Sequence, residues 1–161
     1  MQLRPLVFML LFLIQIIKIM RAKGNIILPN KSRVNALDPV IPTGNFRWYE
    51  VTNNLKVVPI NDEVLDNIYR LAIFLETVRK KLDNQPMIVT SWLRDYKSNK
   101  ACGGSPKSRH LQGDAVDFCI KKVPPSHIYA VLDRDHHYGG LGLYKGHVHL
   151  DLRGSKARWC A

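Results

Sequence analysis

Two short stretches concentrate the residues able to do chemistry. They are Ser108-Arg109-His110-Leu111-Gln112-Gly113-Asp114-Ala115-Val116-Asp117 and, further along, His147-Val148-His149-Leu150-Asp151. Their imidazoles and carboxylates suit a catalytic zinc ion, in which three protein ligands leave the fourth tetrahedral position open for water or substrate. A structural zinc would draw instead on four Cys and His ligands. Residue types alone therefore lead to the expectation of a hydrolytic metal site.

The elements that must position these groups can be read from periodicity. In the second stretch Val148, Leu150 and Leu152 fall on one face of a strand, and His147, His149, Asp151 and Arg153 on the other. A solvated polar face is the commoner outcome of such alternation, but four groups drawn from His, Asp and Arg favour a face that lines a site. Gly140 to Tyr144 and His147 to Arg153 read as a hairpin joined by Lys145-Gly146, with the glycine taking a positive φ. Ala115, Asp117 and Cys119 share one strand face while Val116 and Phe118 pack behind it, which brings Cys119 within reach of the metal. Upstream, Asn61 caps a helix carrying Val64, Ile68, Leu71, Leu75, Val78 and Leu82 at helical spacing, with Asp62 and Glu63 in its first turn. Met87 to Ser91 reads as a buried strand, and Pro124-Pro125-Ser126 opens a helix ending near Asp133. His127, His136 and His137 are read as surface or loop residues, and Trp48, Trp92 and Trp159 as packing.

Composition sets the frame. The chain has 161 residues and a formal net charge of +11, with 46% hydrophobic and 23% charged residues, as in a globular domain. Arg4, Lys18, Arg21 and Lys23 carry part of that charge, with no acid among the first residues. A surface this basic favours anionic partners, and an anionic wall polymer fits it. Nucleic acid does not, because no recognisable nucleic-acid module accompanies the charge. Arg4 followed by the apolar run Leu6 to Ile17 reads as a signal peptide, with a membrane anchor over residues 6–17 or a start at Met20 as alternatives. Residues 1–23 are thus a targeting segment, the only part expected to meet a membrane, and the protein is expected to be exported. Residues 24–45, with Pro29, Pro39, Pro42 and Gly44, read as a linker, and residues 46–161 as the domain. Cys102, Cys119 and Cys160 lack C-x-x-C spacing and are read as incidental thiols.

The motif Ser108-x-His110-x-x-Gly113-x-Ala115-x-Asp117, followed by Gly139-Gly140-Leu141-Gly142-x-Tyr144 and His147-x-His149-x-Asp151, resembles the zinc D-Ala-D-Ala carboxypeptidase family of peptidoglycan peptidases. Phe46-Arg47-Trp48-x-Glu50-x-Thr52, Ser91-x-x-Arg94 and Asp151-x-Arg153-Gly154 with Arg158-Trp159 extend the resemblance over most of residues 46–159. It implies an α+β fold of the Hedgehog type, in which a small antiparallel sheet carries the zinc site and packs against helices. It further implies that His110, Asp117 and His149 bind Zn2+. Arg94 would lie beside the metal and stabilise the substrate carbonyl or a terminal carboxylate.

Many relatives place an acid three residues before the last His ligand, where this chain has Gly146. The proton-carrying role passes to His147, with Asp151 as an orienting group or an alternate base. The function expected is zinc-dependent hydrolysis of peptide bonds in peptidoglycan stem or cross-link peptides. A non-catalytic zinc-containing binding module on the same fold is the alternative that Gly146 keeps open.

Overall fold

The computed structural model describes residues 5–161; Arg4 lies outside them. Its longest helix shows why the chain folds as it does. Asn61 accepts a hydrogen bond from the Val64 amide at 2.9 Å and starts α3 (Asp62–Lys81), with acids in the first turn and Arg79, Lys80 and Lys81 in the last, each matched to the helix dipole. Val64, Leu65, Ile68, Leu71, Ala72, Leu75 and Val78 form its buried face. They share one core with Val116, Phe118, Ile120, Leu141, Val148 and Leu150 of a five-stranded sheet.

Ahead of α3 come α1 (Pro5–Arg21), the paired strands β1 (Asn25–Ile27) and β2 (Arg33–Asn35), and the short α2 (Trp48–Val51). Residues 24–45 are not the linker expected from their prolines. Ile26, Leu28 and Val40 insert into the main core, and Ala36 packs with Ala22 and Tyr49 in a second cluster. Scattered apolar residues between turns are enough to anchor irregular chain when the backbone also pairs, as Val40 does with Phe46. No helix among the described residues is long and apolar enough to cross a membrane. Even so, Leu10, Leu13, Ile14, Ile17 and Met20 of α1 are exposed.

The sheet is built from β3 (Met87–Ser91), β4 (Ala115–Ile120), β5 (Gly140–Leu143), β6 (Val148–Asp151) and β7 (Ala157–Cys160), in the order β3-β4-β6-β5-β7. Between β3 and β4 lie α4 (Tyr96–Ala101) and a 3₁₀ turn (Arg109–Gln112), and α5 (Pro125–Asp133) precedes β5. The sheet is mixed rather than antiparallel throughout, because the chain leaves β6, passes over β5 and pairs β7 parallel to it. The hairpin turn also differs from expectation. Gly146 is not among the residues with positive φ, and a Cβ added there would meet nothing within 4 Å. Neither backbone geometry nor space demands glycine at this position.

Gly113 is different. It ends the 3₁₀ turn in the left-handed region at φ 77°, its carbonyl accepts the Trp92 indole N–H at 2.9 Å, and a Cβ would lie 2.9 Å from Ile68 and 3.0 Å from the Val64 carbonyl. It thus joins the turn bearing His110 to the strand bearing Asp117 by packing directly on α3. Gly113→Ala is expected to lower stability by about 2 kcal/mol or more, from left-handed strain plus overpacking. Urea unfolding followed by tryptophan fluorescence measures this, and an unchanged midpoint would refute the tight packing of the turn on α3.

Candidate metal centre

Strand register brings the polar residues into a single row. Ser91 pairs with Asp117, Asp117 with His149, His149 with Gly142, and Gly142 with Trp159. Directly paired residues project to the same face, so these side chains line the face opposite the core. A register shift between Val89 and Ser91 brings Ser91 into the row. His110 reaches the row from the 3₁₀ turn, completing a buried group of His110, Asp117 and His149 that could hold a metal ion.

The three donor atoms form a small triangle. His110 Nε2 lies 3.2 Å from His149 Nδ1 and 3.2 Å from Asp117 Oδ1, and His149 Nδ1 lies 2.8 Å from the same oxygen. Zinc with ligand bonds of about 2.0–2.1 Å needs tetrahedral donors about 3.3 Å apart, close to these separations. Proton placement supports the fit. His110 Nδ1 lies 2.7 Å from the Trp92 carbonyl, which can only accept, so Nδ1 carries the hydrogen. His149 Nε2 lies 3.0 Å from Asp151 Oδ2, so there too the hydrogen sits on the outer nitrogen. If both rings are neutral, each turns a lone pair toward Asp117 Oδ1, a convergence that a cation relieves, whether a metal ion or a proton on a ring.

The electrostatics follow the same logic. Burial opposes ionisation of Asp117, but hydrogen bonds with His110 and His149 overcome it and hold the carboxyl well below the usual carboxylate range. Burial likewise disfavours charge on His149, yet hydrogen bonds to Asp117 and Asp151 raise its pKa. Asp151 is also held well below its ordinary value against burial, by His149, Arg153 and the Gly140 amide. Such partners fix ring orientation and raise ligand basicity in histidine metal sites. Asp151 is fully buried, and its carboxylate accepts from His149 Nε2, the Gly140 amide and Arg153. Of the two roles the sequence allowed it, the geometry supports orienting His149 and gives it no path to a substrate.

Arg94 holds the second oxygen of Asp117. Its Nη2 donates to Oδ2 at 2.6 Å and its Nε to Ser91 Oγ at 2.8 Å, leaving part of the guanidinium at the surface of the site. His147 stands at the rim, with Nε2 4.0 Å from Asp117 Oδ1 and 30% of its side chain exposed. Burial lowers its pKa more than Asp117 raises it. Cys119, in contrast, lies outside the metal group among the described residues, and burial pushes its thiol up to about 11.

Sequence reasoning missed an aromatic wall. The Trp159 indole lies 5.1 Å from the His149 ring, with the Arg153 guanidinium 5.2 Å above it, and its Nε1 donates to Tyr144 Oη at 3.0 Å. Tyr144 stacks on His147 at 4.5 Å and 10°. A Cβ on Gly142 would lie 2.4 Å from the indole, so the missing side chain at the centre of the row is the space Trp159 fills. His136, read from sequence as loop, is buried against Phe74 with Nε2 2.9 Å from the Asp151 carbonyl. The sequence signal was the Arg158-Trp159 pair, but only the parallel pairing of β7 gives it a place.

A family model described as Peptidase M15 matches residues 45–151, which include His110, Asp117, His149, Arg94 and His147. No curated protein matches the chain at a significant level. The centre is expected to bind one zinc ion per chain, measured by metal analysis and competition with a chromogenic chelator. His110→Ala and His149→Ala should abolish binding, and Asp151→Asn should weaken it about 10–100-fold by releasing His149. Unchanged affinity in Asp151→Asn would show that it does not orient the ligand.

Proposed function

Because the chain belongs to the peptidase M15 family, whose members are zinc-dependent, we propose that it hydrolyses peptide bonds in the stem or cross-link peptides of peptidoglycan. The observation that carries this reading is the convergence of His110, Asp117 and His149 on one point, bordered by Arg94 and the half-exposed His147. Zinc held by these three residues would polarise a scissile carbonyl and lower the pKa of bound water toward about 7.

The chain's own residues supply the rest. Arg94, fixed by Asp117 and Ser91, presents a permanent positive charge to an oxyanion or carboxylate at the rim of the ligand set. His147 is the proton carrier. Its ring is reachable from solvent and stacked on Tyr144, and burial favours the neutral form that can accept a proton from attacking water and pass it to the leaving amine. Asp151 keeps His149 in the tautomer that a metal needs. The apolar N-terminal segment supports delivery to the cell envelope, and the charge of +11 supports retention on an anionic wall polymer.

The test is release of peptide fragments or D-Ala from purified peptidoglycan, followed by mass spectrometry with zinc and with a chelator. Turnover should require zinc. Arg94→Ala should reduce kcat about 10²–10³-fold, as for loss of a donor to developing negative charge. His147→Ala should reduce it about 10²–10⁴-fold, the usual contribution of a general base. Stoichiometric zinc binding with no cleavage of any linkage would overturn the peptidase reading in favour of a binding module.

A further inference from the structure

A cleft of about 230 Å³ lies beside β3, lined by Lys18, Glu50, Ser91, Arg94, Ser98 and Cys102 among others. Arg94 connects it to the centre through Asp117. Lys18 is unexpected here, because it belongs to the last turn of α1, the segment read from sequence as a signal peptide or signal-anchor.

Several contacts hold that turn in place. β3 is an outermost strand of its sheet, and Lys18 Nζ approaches its Val89 carbonyl at 3.5 Å. The chain just beyond the helix is built into the body of the fold. Ala22 is buried with Ala36 and Tyr49, and the Gly24 carbonyl accepts the Ala36 amide at 3.0 Å.

The charges in the cleft are unequal. Glu50 is the acid among its lining residues, and it accepts the Arg47 amide at 2.8 Å and lies close enough to Lys18 to act on it electrostatically. Lys18 and Arg94 are the two cations among the same lining residues. Burial lowers the Lys18 pKa, the desolvation that an arriving anion would relieve.

We propose that Lys18 is a substrate-binding residue, its ammonium forming with the Arg94 guanidinium a two-cation subsite for a carboxylate of an acidic peptide, so that α1 must stay attached for that peptide to be held. The inference rests on the peptidase reading given above. It adds that the preferred substrate carries a free carboxylate within a few residues of the scissile amide, on the side that extends from Arg94 away from the ligand set. The chemistry is a charge-assisted hydrogen bond inside a partly desolvated cleft.

The test uses the full chain, zinc-loaded in detergent micelles, and two peptides differing only in that carboxylate or its carboxamide. The wild type should show a KM roughly tenfold lower for the acid, the scale of one hydrogen bond to a charged group. Lys18→Gln should erase the difference by raising KM for the acid alone with kcat unchanged, and Lys18→Arg should restore it. Circular dichroism and zinc content establish that the variants are folded. An equal change for both peptides, or none, overturns the proposal. If the wild type cleaves neither peptide, the peptidase reading fails by itself. Calorimetric Kd values for the same two peptides then decide the subsite: an acid preference lost in Lys18→Gln supports it, and equal Kd values overturn it.

Discussion

The pairing of β4 with β6 is the constraint on which the rest depends. It sets Asp117 directly opposite His149, and with Val116 and Phe118 buried behind the site it turns both ligands to the open face. Once these two donors are 2.8 Å apart, a third from the 3₁₀ turn closes the triangle. The core is organised around the same pairing. Phe118 pairs with Val148 and Val116 with Leu150, so the residues that drive folding by burial also set the ligand geometry.

Each donor is secured by its other atom. His110 is tied to the Trp92 carbonyl, Asp117 to Arg94 and His149 to Asp151. Asp151 in turn is neutralised by Arg153, which lies over Trp159. The shell alternates in sign from the centre outward: a site for a cation, carboxylate and imidazoles, then guanidinium or a second carboxylate. Low local dielectric makes such alternation effective, since every charge has a neighbour of opposite sign within hydrogen-bond distance. It also explains how residues as polar as Asp151 and His110 can be buried.

Much of this was legible in the sequence where the information is local. The α3 repeat and its Asn61 cap, the strand alternation around His149 and the Pro125 helix start all follow from periodicities of one element. Alternation places Asp117, His147, His149 and Asp151 on strand faces before any pairing is known, whereas the choice of His110, Asp117 and His149 as the ligands came from the family resemblance. What escaped depends on contacts between distant segments. The parallel pairing of β7 with β5 cannot be inferred from Arg158-Trp159, and without it Trp159 has no relation to His149. The burial of Leu28 and Val40 was hidden by prolines that punctuate the chain without releasing it from the core. Gly146 was over-read: glycine after lysine suggested a left-handed turn, yet the turn forms without one.

The row Ser91-Asp117-His149-Gly142-Trp159 carries one more consequence. His147, His149 and Asp151 sit at alternate positions of one strand, so sliding that strand by two residues would keep its apolar face buried and still place a metal-friendly group opposite Asp117. Hydrophobic patterning, which penalises a one-residue slip, is blind to this one. The bare backbone of Gly140 is not blind to it, because the Asp151 carboxylate occupies the space a Cβ there would fill and accepts the Gly140 amide at 3.0 Å. This contact between β5 and β6 therefore works as a lock on strand alignment, and it favours the register that presents His149, rather than either of its chemically similar neighbours, to the centre.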